Sequence, residues 1–135
     1  MNLFIDSNIF ISAFFSPQGT PSKAIKLAAL LDFQQMTSQY NLREMWNVFE
    51  RKFPDKVLNF QLFMQKYIAN GLEIVETPDF ELVTESQIRD AKDRPILRAA
   101  IFAKAEIFLT GDKDFLEAEI DEIKIITAAE FLELF

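Results

Sequence analysis

The chain has 135 residues, of which half are hydrophobic, 14 are basic and 21 are acidic, giving a net charge of −7. A chain of this size and hydrophobic fraction can bury one core, so we expect a single domain over residues 1–135. The acidic excess argues against a broad phosphate-binding surface, so any contact with nucleic acid has to be local.

Cysteine and histidine are both absent from the chain. Their absence excludes disulfides, cysteine- or histidine-ligated zinc sites and a serine-histidine catalytic triad, and it leaves carboxylates, lysines or a hard metal ion for hydrolysis. No segment has the pattern of a signal peptide or of a membrane span. We therefore expect a soluble, cytoplasmic protein with no membrane partner.

The first half of the chain alternates between strand and helix patterns. The apolar run Asn2–Ile5 predicts a buried strand, and a helix can begin at the Asp6, Ser7 and Asn8 triplet that follows it. Helical spacing of apolar residues then predicts helices over residues 21–31 and 40–52, and residues 35–38 between them are a weaker strand candidate. Pro54 separates this last helix from another through Tyr67, so the two predict a helical hairpin.

The second half continues the alternation. Strands are predicted over residues 72–75, 107–110 and 123–126, with helices over residues 93–105 and 128–134. Such an order favours an α/β domain with a largely parallel sheet that is covered on both faces.

Acidic residues follow the predicted strands where a ligand would bind in an open parallel sheet, outside the carboxyl ends. Asp6 ends the first strand, Asp112 follows the fourth, Asp93 begins the helix that leads to it, and Glu44 lies in about the first turn of its own helix. Converging carboxylates repel one another, and a divalent cation would remove the conflict. Oxygen ligands favour Mg²⁺ or Mn²⁺, which could activate water to attack a phosphodiester.

Each acid also has a structural interpretation when taken alone. Asp6 and Asp93 could cap helices, Glu44 could be a solvated helix residue, and Asp112 and Asp114 could belong to a turn. The same turn lacks the glycine and the closing glutamate of a calcium-binding EF-hand loop. The shared sheet edge is what favours a site.

Four segments in order resemble the PIN-domain family, and in particular its branch of short prokaryotic toxins. They are FIDSNIFISAF, TSQYNLREMWNVFERKF, DAKDRPILRAA with AEIFLTGDKDF, and IKIITAAEFLELF. The resemblance covers nearly the whole chain. It implies a three-layer α/β/α fold with about five parallel strands, and a ribonuclease that needs Mg²⁺ or Mn²⁺.

The resemblance also implies roles for individual residues. The four family acids fall on Asp6, Glu44, Asp93 and Asp112, as catalytic and metal-binding residues, and Asp114 matches a frequent additional metal ligand.

Polar positions of the family that hold the acids or a water in place match Asn8 and Thr110. Asp90 matches a second aspartate near the third acid, so whether Asp90 or Asp93 is the direct ligand stays open. Ala91 and Arg94 depart from the prolyl or acidic residues that are frequent in toxin-like members.

Basic residues beside the acids are candidates for binding substrate phosphate, although solvated side chains are an alternative; they are Lys92, Arg94 and Lys113. Such toxins are usually neutralised by an antitoxin protein and often form homodimers. The aromatic stripe of Phe60, Phe63 and Tyr67 is a candidate contact surface for either partner, or else part of the core.

The leading hypothesis is therefore an endoribonuclease that cleaves single-stranded RNA, as the toxin of a toxin-antitoxin pair. A non-cleaving PIN-like module that binds RNA or protein is the alternative. A haloacid-dehalogenase-type phosphatase also has an aspartate after its first strand, but it needs a second aspartate where this chain has Asn8.

Overall fold

A computed structural model describes all 135 residues and contains one sheet of five parallel strands. The strands are β1 (Asn2–Ile5), β2 (Gln34–Ser38), β3 (Glu73–Val75), β4 (Ile107–Leu109) and β5 (Lys124–Ile126). Their order across the sheet is β3-β2-β1-β4-β5. The chain therefore starts in the centre, adds β2 and β3 on one side of β1, and then crosses to the other side to add β4 and β5. A crevice forms where two crossovers leave the sheet in opposite directions.

Seven α-helices connect and cover the strands. They are α1 (Ser7–Phe15), α2 (Thr20–Leu30), α3 (Gln39–Lys52), α4 (Val57–Ala69), α5 (Arg94–Phe102), α6 (Lys113–Leu116) and α7 (Ala128–Leu134). Short 3-10 turns lie at Pro54–Lys56, Val83–Gln87 and Ala91–Asp93. None of the helices combines the length and the apolarity that crossing a bilayer requires.

Strand alternation divides the core into two layers. Leu3 and Ile5 of β1 pack into one buried cluster with residues of α1 to α4 and α7, whereas Phe4 packs into a second cluster with residues of α5. Successive strand residues point to opposite faces, so both faces of the sheet are apolar and both are covered. The predicted α/β/α architecture with a five-stranded parallel sheet is confirmed.

The helical hairpin of α3 and α4 forms around stacked aromatic rings. The rings of Phe49 and Phe60 are stacked with centroids 4.1 Å apart, and Phe14 of α1 meets Phe60 edge-on. Phe60 is buried, and Phe63 and Tyr67 pack half-buried against the same cluster. The structure thus supports the core interpretation of the predicted aromatic stripe.

Several boundaries differ from the predictions. The predicted helix over residues 93–105 begins at Arg94 and ends at Phe102, just before Lys104 adopts a positive φ of 61°. Glu44 is the sixth residue of α3 and lies in its second turn, not its first. Helix α6 was not predicted, because four residues are too short for a periodic pattern.

Candidate functional site

The predicted acids meet at the carboxyl ends of β1 and β4. The backbone N–H of Asp6 donates to the Leu109 carbonyl at 3.0 Å, and that of Thr110 donates to the Ile126 carbonyl at 3.0 Å, so the sheet ladder holds both residues side by side just beyond their strands. A cleft of about 210 Å³ opens there. Its lining includes all four predicted catalytic acids, Asp6, Glu44, Asp93 and Asp112, with apolar Ile11, Val48 and Ile96.

Asp6 is almost fully buried and accepts four hydrogen bonds. Its Oδ1 accepts from the Ser7 backbone N–H at 2.8 Å and from Asn41 Nδ2 at 3.2 Å. Its Oδ2 accepts from Thr110 Oγ1 at 2.7 Å and from Asn8 Nδ2 at 3.3 Å. Asp6 caps α1, as the structural interpretation predicted, and is at the same time fixed in the wall of the cleft.

Asn41 is a site residue that was not predicted from the sequence. Besides Asp6, its Nδ2 donates to Ser7 Oγ at 2.8 Å, and its backbone N–H donates to Ser38 Oγ at 3.0 Å, which caps α3. Asn41 is completely buried. Its place one helical turn before the core residue Met45 could have indicated a buried polar position.

Burial raises the pKa of Asp6 to about 7, against 3.8 for an ordinary aspartate, and the negative charges of Glu44 and Asp112 add to the effect. Hydrogen bonds from Thr110 and Ser7 act in the opposite direction. The desolvation cost of the charged form outweighs these donors. Neither ion pair of the chain involves Asp6, so no cationic side chain offsets this desolvation cost.

Asp93 and Glu44 are perturbed in the same direction. Burial raises the pKa of Asp93 to about 7, with further contributions from the charges of Asp112, Asp90, Glu44 and Asp6. Burial also raises the pKa of Glu44, which the charges of Asp112 and Asp90 reinforce. Mutual repulsion of this kind is expected where carboxylates share one small cleft.

Three carboxylates come close enough to share one ion. Asp93, Asp112 and Asp114 each offer an oxygen, and the three oxygens lie within 4.8 Å of one another. The donor set contains only oxygen atoms, which fits a hard divalent cation such as Mg²⁺ or Mn²⁺ and does not fit a site for a soft metal. A divalent ion would also offset the burial and the repulsion that together raise the pKa of Asp93.

The turn between β4 and α6 positions two of these carboxylates. Thr110 Oγ1 accepts from the Asp112 backbone N–H at 3.0 Å, and Asp112 Oδ1 accepts from the Asp114 backbone N–H at 2.9 Å. Asn8 Oδ1 accepts from the Gly111 N–H at 3.1 Å and ties the turn to α1. Asn8 and Thr110 thus connect the two acid-bearing segments.

Asp114 is also the acceptor of the one ion pair at the cleft. Arg89 Nη2 donates to Asp114 Oδ1 at 2.6 Å, although the Arg89 side chain is 84% exposed. Arg89 was not identified from the sequence. Because it is so exposed, water competes strongly for its guanidinium, and the pair leaves the remaining carboxylates uncompensated.

The remaining predicted residues lie at the rim. Asp90 is exposed and accepts from the Lys92 N–H at 3.0 Å, while Asp93, at the start of α5, makes no capping hydrogen bond. Asp93 rather than Asp90 is therefore the residue of that pair that lines the cleft. Lys92 and Lys113 are exposed, whereas Arg94 donates from Nε to the Ile88 carbonyl at 3.0 Å.

The largest cavity lies elsewhere. It measures about 470 Å³ and is bordered by α2, α4 and the amino ends of β2 and β3, opposite the acids. Its charged lining residues are Lys26 and Asp32, so it has no cluster of carboxylates. Size alone therefore does not mark the candidate site.

Comparison with known proteins points to one family. A model of the PIN domain matches residues 2–114. The uncharacterized protein MJ1680 of Methanocaldococcus jannaschii is 27% identical over 146 aligned positions, which span 100% of this chain and 92% of that protein.

Solved structures share the fold at low sequence identity. VapBC2 from Rickettsia felis, bound to a promoter DNA fragment, has a TM-score of 0.71 and 17% identity over 94% of this chain and 98% of that one. DNA-bound VapBC from Salmonella typhimurium has a TM-score of 0.69 and 16% identity, covering 95% and 98% of the two chains. VapC20 of Mycobacterium tuberculosis, described as a toxin that cleaves the sarcin-ricin loop, has a TM-score of 0.59 and 14% identity, covering 90% and 98%.

Proposed function

The chain belongs to the PIN domain family, and on that premise we propose that it is a metal-dependent endoribonuclease that hydrolyses single-stranded RNA. The observation that carries the proposal is the convergence of Asp93, Asp112 and Asp114, with oxygens within 4.8 Å of one another. Asp6 and Glu44 line the same cleft as Asp93 and Asp112. The pKa values of Asp6, Glu44 and Asp93 are raised, chiefly by burial, and such carboxylates gathered in one cleft are typical of a site that handles a cation or protons.

In this proposal Asp93, Asp112 and Asp114 hold Mg²⁺ or Mn²⁺, and Asp6 supports the site from the buried side. When bound, the ion supplies positive charge that lowers the pKa of a water and offsets charge on the phosphate. Asn41, Thr110 and the other donors to Asp6 keep its carboxylate in one orientation.

Glu44 is the residue we assign to proton transfer. It is half-buried at the edge of the cleft, and its raised pKa makes its carboxylate a better proton acceptor near neutral pH. Water attacks phosphorus, its proton passes to Glu44, and the P–O bond to the leaving oxygen breaks. The leaving oxygen then takes up a proton from solvent, so the products are two shorter strands, one ending in a phosphate and the other in a hydroxyl.

We further propose that the chain is the toxin of a toxin-antitoxin pair, that a protein antitoxin binds and neutralises it, and that it forms a homodimer. Support for the toxin role and for an antitoxin partner comes from VapBC structures of the same fold and from VapC20, a toxin that cleaves the sarcin-ricin loop. The acidic net charge of −7 fits a nuclease that holds RNA only along a narrow rim.

Cleavage of a labelled single-stranded RNA tests the proposal. Wild-type protein should cleave with Mn²⁺ or Mg²⁺ and lose activity in excess chelator, and Asp93→Asn should reduce the rate at least about 100-fold. Asp121→Asn, an exposed acid at the amino end of β5, is the matched control and should cleave like wild type. Full cleavage in chelator, or by Asp93→Asn, would contradict the proposal.

A further inference from the structure

A second cavity lies beside the acidic cleft. It measures about 210 Å³ and is lined by Gln39, Tyr40, Arg43, Glu76 and Thr77. Gln39 begins α3 after β2, and Glu76 follows β3, so the cavity opens at the same sheet edge as the acids. The proposed reaction gives no role to any of these five residues.

The Thr77 hydroxyl lacks a partner. Its Oγ1 is the one buried side-chain polar atom of the chain that makes no hydrogen bond. Buried polar groups are normally paired, so an unpaired one suggests a function or an absent partner. Because Oγ1 is closed to solvent in the observed rotamer, a ligand in the adjoining cavity would become such a partner once the Thr77 side chain rotates toward it.

Tyr40 lines the cavity and contacts the segment that carries Asp93. Its ring packs against the buried cluster that contains Met36, and its hydroxyl donates to the Lys92 carbonyl at 2.6 Å, next to Asp93. Burial raises the pKa of the Tyr40 hydroxyl, and the charges of Glu44 and Asp93 contribute. Tyr40 and Glu44 are four residues apart on α3, so their Cβ atoms are about 5–6 Å apart.

Arg43 and Glu76 define the charge around the cavity. Arg43 is exposed and makes no ion pair, which leaves its guanidinium free in a chain with a net charge of −7. The Glu76 carboxylate would repel a phosphate inside the cavity, but it can accept a hydrogen bond from an amino group. An uncharged, planar group that carries donors and acceptors fits this lining better than an anion does.

We propose that this cavity binds one base of a single-stranded RNA, adjacent to the nucleotide whose phosphate lies at the acidic cleft; the assignment rests on the proposed function. Tyr40 stacks on the base, Gln39 and Thr77 hydrogen-bond its edge, and Arg43 contacts the neighbouring phosphate. Unstacked bases of single strands are recognised in this way by aromatic rings and polar side chains. The cavity would then contribute to the choice of cleavage position.

Binding of fluorescent 12-nucleotide RNAs of a single base type tests the assignment. All measurements use the full chain carrying Asp93→Asn, so that the RNA is not cleaved during binding. The Asp93 carboxylate makes no hydrogen bond in the wild-type structure, so the substitution removes no hydrogen bond of the fold. Tyr40→Leu should weaken binding of the preferred RNA about tenfold, since stacking of this kind is lost. Arg43→Gln should weaken it severalfold and reduce its salt dependence, while Arg51→Gln, an exposed arginine near the end of α3, should not.

Removal of single bases gives a sharper readout. Replacing the bases one at a time by abasic sites should reveal one position where loss of the base weakens RNA binding. In the Tyr40→Leu protein, an abasic site at that position should no longer change the affinity. Thr77→Val keeps the shape of the side chain, so it should weaken binding while raising the melting temperature. Thr77→Ser keeps the hydroxyl and should bind like threonine.

The results separate this inference from the proposed function. Unchanged RNA affinity and unchanged abasic profiles in folded Tyr40→Leu and Thr77→Val proteins would overturn the base-binding cavity, even if wild-type protein cleaves RNA. Failure of the wild-type chain both to bind and to cleave RNA would overturn the proposed function and, with it, the cavity assignment.

Discussion

Asp6 shows how one residue can serve both the fold and the candidate site. Its carboxylate caps α1 through the Ser7 N–H, and side chains of Asn41, Thr110 and Asn8 donate to it from three parts of the chain. The structural and functional interpretations of this aspartate are therefore not alternatives. A buried carboxylate with four donors and no cation nearby is costly to ionise, and that cost falls when a metal ion binds.

Asp93→Asn should stabilise the metal-free protein. The substitution removes a negative charge from a group of carboxylates that repel one another, and no side-chain hydrogen bond of Asp93 is lost. We expect the free energy of unfolding to rise by about 0.5–1 kcal/mol at pH 8 in chelator, after allowance for solvent screening. Urea unfolding measures this change.

Asp121→Asn is again the control, and its exposed site should leave stability within about 0.5 kcal/mol of wild type. A clear loss of stability in Asp93→Asn would show that the carboxylates do not repel one another as described.

Asn41→Ala should destabilise the protein by about 2–3 kcal/mol, because Asp6, Ser7 and Ser38 all lose a buried partner. Thermal unfolding measures the loss. Asn47→Ala, at an exposed position of the same helix, should change stability little. Equal effects of the two substitutions would contradict the role of the buried network.

The residues that could be predicted from the sequence are those whose chemistry is unusual for their place. Asp6 interrupts an apolar run, and Asp112 follows a buried strand, so both are conspicuous in one dimension. Asn41, Tyr40 and Arg89 are ordinary in their own segments. Their importance comes from partners 25 or more residues away, such as Asp114 for Arg89, and only the fold brings these together.

At the scale of elements, strands and long helices could be predicted because their apolar residues repeat with a clear period. All five strands were identified to within one residue at each end. The segment 76–93 between β3 and α5 has no such period, and it contains only two 3-10 turns. Its path is set by tertiary contacts, which local sequence does not encode.

A buried ion pair anchors that segment. Arg98 of α5 donates from Nη2 to Glu85 Oε1 at 2.7 Å and from Nη1 to the Pro78 carbonyl at 3.0 Å, and the side chains of Arg98 and Glu85 are only 12% and 4% exposed. The Arg98 guanidinium holds the pKa of Glu85 below its usual value. The pair therefore fastens the 76–93 segment, including Thr77 and Asp93, to the domain.

Arg98→Met should lower the free energy of unfolding by about 3–5 kcal/mol, because it leaves the Glu85 carboxylate buried without its partner. Urea unfolding and limited proteolysis of segment 76–93 measure the effect. The double variant Arg98→Met/Glu85→Leu should recover part of the loss, since no charge then remains buried. A double variant as unstable as the sum of the two single variants would contradict the account.

At the scale of the whole molecule, the parallel topology produces the site. The crossover after β3 puts β4 next to β1, so the carboxyl ends of these two strands are adjacent. Asp6 follows β1, and Thr110, which donates to Asp6, follows β4. Sequence patterns could predict this edge, because parallel strands share their orientation. They could not give the separations that unite Asp93, Asp112 and Asp114.

Stability of the metal-free protein should fall as pH rises. The pKa values of Asp6 and Asp93 are about 7 in the folded state against 3.8 for an ordinary aspartate, so the folded state binds more protons than the unfolded state between these values. The stability that these two groups contribute is therefore fully present below about pH 3.8 and is lost as the pH rises to about 7. For buried Asp6, three pKa units correspond to at most about 4 kcal/mol.

Urea unfolding at pH 5, 6, 7 and 8 in chelator measures this dependence, and Mn²⁺ should restore stability at pH 8. Glu85, whose pKa is lowered, acts in the opposite direction only near and below its ordinary value of 4.5. Stability that is constant from pH 5 to 8, or that does not respond to Mn²⁺, would contradict the repulsive acid cluster.

The position of Mn²⁺ in a crystal of the wild-type protein, located by its anomalous scattering, tests most directly whether the acidic cleft binds a divalent ion. We expect a peak between the carboxylates of Asp93, Asp112 and Asp114, beside Asp6, and no peak there in Asp93→Asn crystals treated identically. A cleft that stays without a peak at millimolar Mn²⁺, or Mn²⁺ bound only at other surface acids, would contradict this expectation.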